Sequence, residues 1–190
     1  MIAPIPTAFC PSFVSIGGIM RKEKLYLAGS LFSEAEINQR LKEGNMLESM
    51  TAYEVFNPIT APCNDKEKLP SASDIFWGDT AEVLESKCIV ADISNNDVGV
   101  ACELGIAWAC NYLHYLVDGG YSLQDILSIM KKKYVYAHLS DIRKNTAHMY
   151  RGNYVPWGTN QFLIGCIEDT GEIKDNFQEV LNELSMYEVR

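Results

Sequence analysis

Short apolar runs alternate along this chain with longer segments whose apolar residues recur at helical spacing, and few architectures accept that alternation. Residues 25–28, Leu-Tyr-Leu-Ala, are an apolar run of strand length that stops at Gly29-Ser30. Ser33 then opens a helix that reaches about Met50, with Glu36 placed to complete a capping box and Gly44 as a weak point. Residues 53–56 read as a second strand closed by Asn57-Pro58, followed by a polar loop. Residues 73–86 read as a helix and 88–93 as a continuous apolar third strand. A long helix spans 97–117, breaks at Gly119-Gly120 and resumes over 122–130. Residues 134–139 give a fourth strand, 153–167 a loop and helix, and 175–184 a last helix. The fold class this pattern predicts is α/β: a doubly wound parallel sheet flanked by helices on both faces. In such a sheet a ligand sits outside the carboxyl ends of the strands, so the loops after Ala28, Phe56, Ile93 and Leu139 matter most.

Composition narrows the function classes. With 47% hydrophobic and 22% charged residues the chain is globular rather than disordered or low-complexity. Sixteen Lys+Arg against 25 Asp+Glu leave a net charge of −9, which argues against a nucleic-acid or anionic-membrane partner. The one dense basic run, Lys131 to Lys133, is too short to outweigh that balance. None of the six cysteines forms a CxxC pair, and the three histidines are far apart, so neither a metal nor a cofactor is expected. The thiols suit a reducing, cytoplasmic setting. Residues 1–20 carry no charged side chain and contain Pro4, Pro6 and Pro11, a pattern that suits neither a signal peptide nor a membrane helix. The expected organisation is an extension over 1–23 and a single domain over 24–190.

Two acidic residues, Glu103 and Asp79, stand where the helical pattern wants apolar ones, and a third, Asp97, opens one of the helices. Val100, Glu103, Leu104, Ala107 and Trp108 share one stripe of the long helix, with no Lys or Arg within a turn of Glu103. An unpaired buried carboxylate costs several kcal/mol, so Glu103 is either paired from a distance, placed at a wet rim, or held for chemistry. Near a helix N-terminus the macrodipole favours its ionised form, the form a nucleophile needs. Asp97 opens the same helix and, read alone, is a plain N-cap. Gly99 would let a ligand approach the backbone. Asp79 interrupts the row Ile75, Asp79, Val83, and serves equally well as a partner for Lys87. Tyr26 ends the first strand, and the loop from Ala28 through Gly29 to Phe32 lies where a ligand could be reached. Carboxylates converging on one crevice suit cleavage of a glycosidic bond. Dinucleotide, P-loop and nucleophile-elbow fingerprints are absent from the sequence.

Leu25-Tyr26-Leu27-Ala28-Gly29, Asp79 in its helix, Asp97-Val98-Gly99-Val100-Ala101-Cys102-Glu103-Leu104-Gly105, and Asn153-Tyr154-Val155-Pro156-Trp157-Gly158 together resemble the nucleoside 2-deoxyribosyltransferases, over roughly residues 24–185. The resemblance implies a flavodoxin-like, Rossmann-like sheet and a double displacement in which deoxyribose passes through a glutamate from one base to another. It implies Glu103 as nucleophile, Tyr26 as the hydroxyl that orients it, and Asp79 as the acid on the base side. It implies Asp97 on the sugar hydroxyls, and Asn153 reaching the sugar from a neighbouring subunit of a homo-oligomer. Gly29 and Gly99 would admit the substrate, and Asn64 and Asp65 are candidates on the base side. The implied partners are a 2′-deoxynucleoside and a free nucleobase, with no metal or cofactor. A hydrolase of deoxynucleosides or their 5′-monophosphates, and a noncatalytic nucleotide-binding module, are the competing functions.

Overall fold

A computed structural model describes residues 22–62, 65, 70–140 and 159–187. Its centre is β1 (Lys24–Ala28), which pairs in parallel with β2 (Glu54–Phe56) on one side and β3 (Cys88–Ala91) on the other. The strand order β2-β1-β3 sets Tyr26 opposite Phe56 and Ile89. Successive strand side chains point to opposite faces. Leu27 meets α1 (Glu34–Met50) at Gly44, whereas Tyr26 and Ala28 pack with Val83 of α2 (Ala72–Glu85) and Val100 of α3 (Val98–Asp118). Both faces of β1 are therefore buried, as a continuous apolar run requires. Right-handed crossovers place α1 and α2 on opposite faces, because the chain steps from β1 to β2 and then back across β1 to β3. The expected α/β architecture, a parallel sheet flanked by helices, is the one observed.

Local signals fix the helix ends. Ser33 and Glu36 form the expected capping box: the Glu36 amide donates to Ser33 Oγ at 3.3 Å and the Ser33 amide to Glu36 Oε2 at 2.8 Å. A second box, Ser71 with Asp74, starts α2 at Ala72, one residue before the position read from the sequence. Gly44 is not a weak point. A Cβ there would lie 2.9 Å from Asn57 Nδ2, so glycine lets the Asn57 amide reach the Arg40 carbonyl at 3.0 Å.

The C-terminal part departs from expectation. β4 (Val135–His138) follows the short α4 (Leu123–Ile129) and pairs in parallel with a fifth strand, β5 (Gly171–Lys174), which the sequence did not reveal. The two form a separate two-stranded ladder rather than extending the central sheet past β3. The link runs through helices: α5 (Gln161–Thr170), just before β5, lies against α2, and α6 (Phe177–Tyr187) packs on β4 and β5. Phe162 meets Phe76 edge to face at 5.1 Å, and Cys102, Ile106 and Cys166 close the cluster around Ile75. Gly165 permits this contact, since a Cβ there would stand 2.4 Å from the Ala72 carbonyl oxygen. Among the described residues no helix is long and apolar enough to cross a membrane.

Candidate active site

Three elements bring Tyr26, Asp79 and Glu103 into one neighbourhood. β1 turns the Tyr26 ring toward α2 and α3, where it stacks on Phe56 with centroids 5.5 Å apart. Its hydroxyl donates to Glu103 Oε1 at 2.7 Å, a contact between residues 77 apart in sequence. Glu103 is 7% exposed and Asp79 4% exposed. Glu103 Oε2 is buried and has no hydrogen-bond partner among the described residues. Burial drives the Glu103 carboxyl up to about 7; the Tyr26 hydrogen bond opposes the rise, and the negative charges of Asp79 and Asp97 add to it. An acid that titrates near neutrality, with one oxygen unpartnered among the described residues, is a candidate for chemistry.

Asp97 caps α3, accepting at Oδ1 from the amides of Gly99 at 2.7 Å and Val100 at 3.3 Å. It lines a cleft of about 430 Å³ together with Phe32, Asn96, Val98, Thr159 and Asn160. The cleft opens where the chain leaves β1 and β3, beyond the carboxyl ends of the sheet, as the topology requires. Tyr26, Asp79 and Glu103 do not line it. Glu103 lies further along α3, near enough that Asp97 contributes to its titration.

The remaining expected residues sit as follows. Space beside Gly29 is filled by this chain: a Cβ there would lie 2.4 Å from Arg40 Nη1. Arg40, 2% exposed, reaches from α1 to Asp92 Oδ2 at 2.6 Å and pairs with Glu43 at 2.9 Å. Asn95 Nδ2 adds a second tie to α1 at Glu36 Oε1, 2.6 Å. β3 accordingly ends at Ala91 rather than Ile93, because the Asp92 carboxylate turns away to Arg40 and to the Ser94 amide. Asn64 and Asn153 lie outside the described residues, whereas Asp65 is described but lines no part of the cleft. Asn160 was missed. Its signal, an Asn between Gly158-Thr159 and an apolar run, marks a helix start. Among the described residues no group of His, Cys, Asp and Glu could hold a metal ion.

The sequence pattern of the nucleoside 2-deoxyribosyltransferases matches residues 25–125, just over half of the chain. The chain belongs to that family. The matched stretch runs from β1 into α4 and carries Tyr26, Asp79, Asp97 and Glu103, so the deoxyribosyltransferase signature and the buried carboxylate cluster coincide. Asn153 and α5 lie beyond it. The chain is also similar to an uncharacterized protein of Ureaplasma parvum serovar 3, 28% identical over 172 residues, which takes in 86% of this chain and 95% of that protein. Among solved structures, a conserved protein from Enterococcus faecalis V583 is similar at 24% identity and a TM-score of 0.41, covering 88% of this chain and 99% of that one.

Proposed function

We propose that this chain transfers 2-deoxyribose between nucleobases by double displacement, with Glu103 as the nucleophile. The observation that carries the reading is the Glu103 carboxylate, buried, held at Oε1 by Tyr26 and, among the described residues, without a hydrogen-bond partner at Oε2. In the first step Oε2 attacks the anomeric carbon of a 2′-deoxynucleoside. The C1′–N bond breaks, its electron pair leaves with the base, and Asp79, which takes up a proton from solvent before substrate closes the site, passes that proton to the base and makes it a competent leaving group. A glycosyl ester on Glu103 results. In the second step a nitrogen of the incoming base attacks the same carbon, the ester bond breaks, the carboxylate is restored, and Asp79 takes up a proton released by the incoming base. Positive charge that develops on the sugar between these states lies against the carboxylate, which stabilises it. A 2′-hydroxyl would crowd Oε2 and destabilise that cation, so deoxyribose is the preferred sugar.

Asp97 accepts a hydroxyl of the sugar and Asn64 belongs to the base side, whereas the space beside Gly29 and Gly99 is taken by Arg40 and Asn160 rather than left for substrate. Phe32, an exposed aromatic ring at the cleft, offers a flat apolar surface to a base. Asn153 enters from a neighbouring copy in a homo-oligomer. An exposed aromatic ladder on α3 supports association: Trp108 stacks on Tyr112 at 5.2 Å and Tyr112 on Tyr115 at 6.3 Å, leaving a large apolar surface in water.

Incubation of deoxyinosine with adenine, followed by chromatography, tests the reading. Deoxyadenosine and hypoxanthine should appear together, and Glu103→Ala should abolish both while the far-UV circular dichroism stays unchanged. Hypoxanthine without deoxyadenosine would mean that water takes the sugar, and transfer would be the wrong reaction. Bound deoxyinosine without either product would leave only a binding module.

A further inference from the structure

Asn160 stands at the one point where the C-terminal part of the described chain meets Asp97, and nothing in the reaction as written uses it. It caps α5, its Oδ1 accepting from the Leu163 amide at 3.2 Å. That bond fixes the orientation of the side-chain amide, because the oxygen must face Leu163 and the nitrogen the other way. The nitrogen accordingly donates to Asp97 Oδ1 at 3.3 Å. Asp97 Oδ1 thus receives three donors: the Gly99 amide, the Val100 amide and Asn160 Nδ2. Asp97 Oδ2 has no hydrogen-bond partner among the described residues, and both side chains line the cleft. Gly99 belongs to the same arrangement. A Cβ at that position would lie 2.7 Å from Asn160 Nδ2 and 3.0 Å from Asp97 Oδ1, so any larger residue would displace the amide from the carboxylate.

We propose that Asn160 is a positioning residue for sugar recognition: its amide completes the donor set on one oxygen of Asp97, which turns the other oxygen into the cleft as the acceptor for a substrate hydroxyl. The assignment of that hydroxyl to a deoxyribose rests on the transferase reading above. Three donors on one oxygen leave Asp97 a single rotamer, so the hydroxyl meets an acceptor already aimed and the ordering cost of binding falls. The same geometry gives Gly99 a role within the protein: it makes room for Asn160.

Two variants separate positioning from plain structural support. Asn160→Ser keeps a capping oxygen for α5 but is too short to reach Asp97, whereas Asn160→Ala loses both contacts. In the transfer assay Asn160→Ser should raise KM for deoxyinosine about tenfold and leave kcat within about twofold, the signature of lost binding that is equal in ground and transition states. The 3′-deoxy and 5′-deoxy analogues of deoxyinosine identify the hydroxyl, as the one whose removal costs the native protein most. On that analogue Asn160→Ser should change KM less than twofold. An unchanged KM for deoxyinosine, or an equal loss on the substrate and on both analogues, overturns the proposal.

A second measurement needs no turnover. Gly99→Ala should lower the denaturant midpoint of the native protein although alanine is the better helix former, and should cease to do so in the Asn160→Ala background. Additive effects would mean that Asn160 does not occupy the space beside Gly99, and the proposal falls. Should the native protein make no deoxyadenosine, the transferase reading and the sugar hydroxyl fall together, and this cycle still decides whether Asn160 holds Asp97.

Discussion

Glu103 combines an ordinary side chain with an extraordinary setting, and pH exposes the difference. Its carboxyl titrates near 7 when folded, against 4.5 for an ordinary glutamate. Nucleophilic attack needs the ionised form, so kcat/KM for deoxyinosine is expected to fall about tenfold per unit below pH 7 and to level off above it. Tyr26→Phe removes the hydrogen bond that opposes the rise, so the same limb should move to higher pH. A limb that stays in place or moves down would exclude the hydroxyl as the group stabilising the carboxylate. Stability moves the other way. The folded state holds the Glu103 proton more tightly than the unfolded chain, so its contribution is fully present below pH 4.5 and is lost as pH rises through 7. Glu103→Gln removes that loss, and at pH 8 the variant should be more stable than the native protein by on the order of 3 kcal/mol while making no product. Urea titrations at pH 5 and pH 8 measure the difference. Glu103 was legible in the sequence because an acid interrupts an apolar helical stripe. Its pairing with Tyr26 was legible only through the family resemblance, because no local pattern links two residues 77 apart in sequence.

Elements were legible in proportion to how much of their burial is local. β1, β3 and α3 carry their apolar patterns in their own residues, and the Ser33–Glu36 box announces where α1 begins. β5 carries no such pattern. Gly-Glu-Ile-Lys reads as a linker, and what makes it a strand is β4, whose backbone comes so close that a side chain at Gly171 would strike the Val135 carbonyl. The division between β3 and β4 likewise depends on tertiary packing, and no residue pattern marks it. The α2–α5 contact is written in a single glycine. Gly165→Ala would drive a methyl group into the Ala72 carbonyl and Phe76, and is expected to cost about 1–3 kcal/mol by urea denaturation even though alanine favours helix. Equal stability would mean that the two helices do not cross there.

At the scale of the whole molecule, large apolar side chains stand in water on several helices among the described residues. Trp108 is 65% exposed and Tyr115 55%, both on the helix that carries Glu103. Trp108→Glu places a charge in the aromatic ladder and should shift the protein toward monomer in sedimentation velocity. On the proposed shared site it should also reduce kcat/KM more than tenfold, because a lone copy would lack the neighbour's Asn153. Full activity in a monomeric variant would separate catalysis from association.

The two-ladder architecture has a mechanical corollary. Asp97 rides on the central slab, and Asn160 on the slab built around β4 and β5. The seam that joins them runs along α2 and α5 and passes close to the carboxylates, since Phe76 shares α2 with Asp79 and Cys102 adjoins Glu103. A wedge driven into that seam would spread the jaws of the cleft while leaving every side chain that lines it chemically intact.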